Sequence, residues 1–137
     1  MGVESYSDGS GQNWDGYGAA SFIIVKDNYI MHQESTLLKD HTNNMAEYEA
    51  LTLAVSWLLE HTRGDITCYV DSQLVANQVT GTCQVLQPNL VIARAHLMNL
   101  IGDRVLGVNW VPRSNKFIRE ADRLNRQTVK KAMVNDQ

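Results

Sequence analysis

The chain has 137 residues, 44% of them hydrophobic and 20% charged, with a net charge of −3, which excludes a disordered chain and leaves material for one core, expected as a single domain over residues 1–137. The longest apolar runs, such as Phe22 to Val25, are too short to cross a bilayer, and Met1-Gly2-Val3-Glu4 lacks the basic and apolar stretches of a secretory signal, so a cytoplasmic protein without membrane contact is expected. The acidic balance excludes a protein that grips nucleic acid by bulk charge alone.

Taken in chain order, Val3 to Asp8 alternates as a strand and breaks at Gly9, Gly11 and Gly16. Two extended runs follow, Tyr17 to Val25 and Tyr29 to Leu37, joined by a tight turn at Asp27-Asn28. The period then changes. Thr42 or Asn43 can cap a helix running from Asn44 to about His61, where Leu51, Ala54 or Val55, and Leu58 recur at helical spacing. Ile66 to Val70 reads as a short strand and Ser72 to Val79 as a short helix ending near Gly81. Pro88 suits the first turn of a further helix that stops at Gly102. Val105 to Val111 is the last strand, and the last helix runs from about Arg119 to Met133. Strands that follow a helical crossover should pair in parallel. The expected fold is therefore α/β, a five-stranded mixed sheet, three strands antiparallel and then two parallel, with helices packed on it.

Charge is unevenly spread. Residues 113–137 carry seven basic and three acidic side chains, a net +4, which leaves −7 for residues 1–112. An acidic body with a basic end suits a protein that collects cations in one place and meets phosphates in another, although a solvated basic helix explains the end equally well. Arg119, Arg123, Arg126 and Lys130 recur at intervals of three and four, as a phosphate-facing stripe or as a solvated face. Cys68 and Cys83 read as reduced structural thiols, with a bridge between them as the alternative. The four histidines lack metal-ligand spacing. Trp57 and Trp110 lie in apolar patterns that point to core packing, while Trp14 sits in a glycine-rich loop open to either packing or nucleic-acid contact.

Four carboxylates stand where a fold does not need them. Glu47 leads the apolar stripe of its helix, and Asp71 follows the strand Ile66 to Val70, at the end where α/β sheets gather ligands. Asp8 ends the first strand on the face of Tyr6, and Asp122 is expected in the first turn of the last helix. Singly, each has an ordinary reading: Asp71 can cap the next helix, and Asp122 can favour its dipole. Brought together, they would repel one another and call for divalent cations.

At these residues the sequence resembles the type 1 ribonuclease H family along nearly its whole length. Tyr6-Ser7-Asp8-Gly9-Ser10 with Gly16-Tyr17-Gly18 looks like the first-strand motif, and Thr42-Asn43-Asn44-Met45-Ala46-Glu47 with Tyr48-Glu49-Ala50-Leu51 like the helix motif. Asp71-Ser72-Gln73-Leu74-Val75 resembles the third motif, while Trp110-Val111-Pro112-Arg113 and Glu120-Ala121-Asp122-Arg123-Leu124 resemble the fourth. The resemblance implies a ribonuclease H-like fold with helices on both sheet faces, acting as a monomer. It implies an endonuclease that cuts the RNA strand of RNA–DNA hybrids and leaves 5′-phosphate and 3′-hydroxyl ends. It makes Asp8, Glu47, Asp71 and Asp122 the catalytic residues and ligands of two Mg2+ ions, replaceable by Mn2+, with Asp8 bridging both. It assigns Asn43, Asn44 and Gln73 to the minor groove, where the 2′-hydroxyl marks RNA, and Thr42 to a DNA phosphate. Ser72 and Arg113 are further substrate contacts.

The resemblance has gaps. The loop from Gly9 to Gly16 is compact. Few residues separate Gly81 from Pro88, so the basic helix that some members insert there to hold substrate is missing, which weakens electrostatic binding. No histidine follows His96, whereas some members carry one shortly before the last aspartate. Rival readings are a carboxylate exonuclease, which the absence of Asp-x-Glu at Asp8-Gly9-Ser10 opposes, and an integrase using Glu120. A non-catalytic hybrid-binding module is a third, opposed by the retention of all four acids.

Overall fold

The computed structural model describes residues 2–136. Its elements run β1 (Val3–Ser10), β2 (Tyr17–Lys26), β3 (Tyr29–Lys39), α1 (Asn43–His61), β4 (Ile66–Val70), α2 (Gln73–Thr80), α3 (Pro88–Ile101), β5 (Leu106–Trp110) and α4 (Lys116–Asn135). The five strands form one sheet in the order β3-β2-β1-β4-β5. β1 and β3 each pair antiparallel with β2, whereas β4 runs parallel to both β1 and β5. This is the mixed sheet expected from the element order. The β2–β3 turn works because Asp27 and Asn28 both adopt positive φ, 51° and 68°, the twist that a two-residue hairpin requires.

Alternation along the strands divides the core in two. Phe22, Ile24, Ile66, Cys68 and Val70 pack with Leu51, Val55 and Leu58 of α1, and with α2 and α3, on one face. Tyr6, Ile23 and Val25 meet Phe117, Ile118 and Ala121 of α4 on the other. Helices therefore cover both faces. Among the described residues no helix is long and apolar enough to cross a membrane. Cys68 and Cys83 are free thiols; Cys68 is buried, while Cys83 is exposed and has no core role.

Two sequence expectations change here. The last helix begins at Lys116, not near Arg119, because the Asn115 side chain accepts hydrogen bonds from the backbone N–H groups of Phe117 and Ile118 and caps it. Asp122 consequently sits in the second turn rather than the first. Trp110 is not a core residue: it ends β5 with its side chain 47% exposed. Trp57 is half-buried, stacked between His32 and His61.

Candidate active site

β1 and β4 are parallel neighbours, with Ser7 opposite Val70, so their carboxyl ends lie side by side. Asp8 is the next residue along one strand and Asp71 along the other. Glu47 arrives from α1 because Gly9 lets that helix approach. A Cβ on Gly9 would stand 2.2 Å from the carbonyl carbon and oxygen of Ala46, a distance no side chain tolerates. In its absence the Gly9 N–H donates to Glu47 Oε1 at 2.6 Å. A strand, a helix and a strand end thus deliver one carboxylate each to one place.

Carboxylate oxygens of Asp8, Glu47 and Asp71 lie within 4.8 Å of one another. They line a cleft of about 500 Å³ together with Asn43, Asn44, Ser72, Arg113 and Asp122. The Asp71 side chain is 4% exposed, and its Oδ1 is buried with no hydrogen-bond partner among the described residues. Its Oδ2 lies 3.5 Å from Nε of the exposed Arg113, a single cation beside three acids. Burial, then the charges of Asp71 and Asp122, push the Asp8 carboxyl up from 3.8 to about 7. Burial, then the charges of Asp8 and Asp71, push Glu47 up to about 10, against the lowering effect of the Gly9 N–H. Crowded oxygen donors, an unpaired buried oxygen and carboxyls that resist ionising beside one another together fit a hard divalent cation.

The remaining sequence candidates divide. Asp122 lines the cleft but stands apart from the close triad, paired with Arg126 at 3.2 Å, its side chain 48% exposed. Asn43 is held by the Gly11 N–H, which donates to its Oδ1 at 2.8 Å. Ser72 caps α2 by accepting from the Val75 N–H. Thr42 caps α1 in the same way through the Met45 N–H, and neither it nor the exposed Gln73 lines the cleft.

Two residues that hold the acids escaped the sequence reading. Asn125 is fully buried; its Nδ2 donates to the Asp8 carbonyl at 3.0 Å and lies 3.5 Å from Asp8 Oδ2. Its Oδ1 accepts from Ser21 Oγ, which lies 2.8 Å from Ser35 Oγ, itself 2.6 Å from Thr128 Oγ1. Each hydroxyl has one hydrogen and the amide oxygen only accepts. Hydroxyls from β2, β3 and α4 thus form one partly buried network that ends on the Asn125 amide and, through it, on the main chain of Asp8. Its signal was a lone amide four residues after Ala121 on the buried stripe of α4. Trp110 Nε1 donates to the Asp71 carbonyl at 3.1 Å, tying β5 to that acid; its place at a strand end beside Val70 was the clue.

The family model for RNase H matches residues 1–130. The chain belongs to the RNase H family. Within that family its likeness is to type 1. It is 32% identical over 114 residues to a Ribonuclease HI of Halobacterium salinarum, a stretch covering 82% of this chain and 57% of that relative, so it spans little more than half of the relative's length. The crystal structure of RNase H1 from the same archaeon is similar at a TM-score of 0.86 and 29% identity, over 94% of this chain and 98% of that one. An RNase H1 isolated from compost and crystallised with an RNA/DNA hybrid is equally close in shape, with TM-score 0.86 and 27% identity over 96% of this chain and 99% of the other. The RNase H fold thus accounts for the whole sheet and all four helices.

Proposed function

We propose that this chain is an endoribonuclease that hydrolyses the RNA strand of RNA–DNA hybrids, leaving 5′-phosphate and 3′-hydroxyl ends. One observation carries the reading: Asp8, Glu47 and Asp71, from three separate elements, converge within 4.8 Å in an open cleft, with an unpaired buried oxygen among them. Membership of the RNase H family and a structural neighbour bound to an RNA/DNA hybrid support the choice of substrate.

Asp8, Glu47, Asp71 and Asp122 would hold two Mg2+ ions, for which Mn2+ can substitute. Bound there, such ions supply charge for the developing oxyanion and lower the pKa of water. The protein's own part is placement. Asn125 and Trp110 fix the main chain at Asp8 and Asp71, so the carboxylates meet substrate without rearranging. The Asn43 amide oxygen is occupied by Gly11, which leaves its N–H2 group to donate toward the hybrid. With Asn44 and Gln73 it reads the minor groove, where a 2′-hydroxyl distinguishes RNA from DNA. Thr42, Ser72 and the exposed Arg113 take backbone groups of the substrate; Arg113, 3.5 Å from Asp71, also steadies that acid. Two free thiols suit a cytoplasmic setting, and a monomer is sufficient for this site.

Incubation with a labelled hybrid in Mg2+ or Mn2+ tests the reading, with single-stranded RNA and double-stranded DNA as controls. Cutting of the RNA strand alone, abolished by Asp8→Asn and by Asp71→Asn, is expected. Binding without cutting in either metal would instead make the chain a hybrid-binding module.

A further inference from the structure

Beside the catalytic cleft lies a second depression of about 350 Å³, between the loop that joins β1 to β2 and the last turns of α4. Its surface is apolar, from Tyr17, Val129, Met133 and Val134, and its two charged lining residues, Arg126 and Lys130, are both cationic. No carboxylate lines it. Ser10 lines both this groove and the catalytic cleft, so the two adjoin at that residue. Two of its lining residues touch, Asn13 Nδ2 donating to Met133 Sδ at 3.2 Å. The next residue, Trp14, projects into solvent with its whole side chain exposed. Lys39 adds a third cation, its Nζ 3.9 Å above the Tyr17 ring.

We propose that this groove binds single-stranded RNA running out of the hybrid, which makes hybrids with an RNA tail the preferred substrate class. The inference rests on the cleft being the place where the RNA strand is cut. A strand whose phosphate sits at Asp8 must leave the cleft in some direction, and past Ser10 it meets a groove with apolar walls whose own charged lining residues are cationic. Paired bases cannot use such a surface, because their faces are already stacked. Unpaired bases can: they lie on apolar and aromatic side chains without sequence preference while cations follow the phosphates. Trp14 and Tyr17 supply the aromatic faces, and Lys130 the charge. Arg126 is engaged by Asp122 at 3.2 Å, so the free charge at this end is Lys130. A protein partner is the less suitable occupant, since a chain seated beside Ser10 would crowd the adjoining cleft.

The test uses hybrids whose strand carries one short ribonucleotide block to fix the cut, either blunt or with an RNA tail on the 5′ or the 3′ side. For the wild type, a tail on one side should lower KM roughly five- to ten-fold, with kcat unchanged, as expected for one stacked base. Trp14→Ala and Lys130→Ala should each remove most of that gain and leave blunt hybrids unaffected. Lys130→Ala should also reduce the salt slope of tailed-hybrid binding by about 0.7, the share of one phosphate contact on a single strand. Anisotropy of labelled tailed and blunt hybrids in chelator reads the same preference without catalysis. If the wild type cuts nothing yet binds tailed hybrids more tightly, the activity reading fails and the groove stands. Equal KM for tailed and blunt hybrids, or a tail effect untouched by both substitutions, overturns the groove.

Discussion

Asp8 does not owe its position to β1 alone. A carboxylate that is 8% exposed and flanked by two others is pushed outward by repulsion, and what opposes the push is the buried amide of Asn125. Replacing Asn125 with Leu keeps the branched shape of the side chain, with bulkier ends, but removes the donor to the Asp8 carbonyl and the acceptor of the Ser21 hydroxyl. Leaving these buried groups unpaired should lower stability by about 1–3 kcal/mol. The functional effect should be separable from that loss. A residue that orients a metal ligand typically costs about 10–100-fold in metal affinity or activity, so the half-saturating Mg2+ concentration should rise by roughly ten-fold or more. Titration of activity with Mg2+ well below the variant's melting temperature measures it. A lowered Tm with an unchanged Mg2+ requirement would make Asn125 merely structural. Trp110→Phe should act more mildly, since it removes one hydrogen bond worth about 1 kcal/mol from a half-exposed side chain.

At the scale of elements, the site depends on how closely α1 lies against β1. Gly9→Ala would insert a methyl group 2.2 Å from the Ala46 main chain, so the helix must retreat and take Glu47 with it. Overpacking of this kind costs about 1–3 kcal/mol or more, and hybrid cleavage should be lost although every acid remains. Circular dichroism with the cleavage assay distinguishes this from unfolding. The elements themselves were legible because period and caps agreed: Leu51, Ala54 and Leu58 mark α1, and Asp27-Asn28 marks the hairpin. The start of α4 was missed because Asn115 stands in a polar stretch after Pro112 that shows no helical period of its own. Only with Phe117, Ile118 and Ala121 seen buried together does it become a cap. Asn115→Ala should therefore destabilise by about 1 kcal/mol, read from the denaturant midpoint. The four acids were legible as motifs, whereas their supports were not. A hydrogen bond from residue 125 to residue 8 leaves no local pattern in the chain, and an apolar context made Trp110 look like core.

For the molecule as a whole, the cluster sets stability and function against each other. Asp8 and Glu47 hold their protons more tightly in the folded chain than in the unfolded one, with pKa values raised from 3.8 to about 7 and from 4.5 to about 10. The folded state therefore binds more protons above pH 4, and linkage makes stability fall as pH rises. Their favourable contribution is complete below the unfolded values and is lost as pH climbs through the folded ones, near 7 for Asp8 and near 10 for Glu47. Melting followed in chelator at pH 4, 6 and 8 should show Asp8→Asn level with the wild type at the lowest pH and increasingly more stable above it. Mg2+ or Mn2+ added at pH 8 should raise the wild-type Tm and narrow the gap, because cations that bind only the folded state stabilise it by mass action. The variant, lacking one ligand, should respond less. If the two proteins instead melt in parallel at every pH, and metal moves neither, the acids are not sharing one desolvated field, and the electrostatic basis for a cation in this cleft is gone.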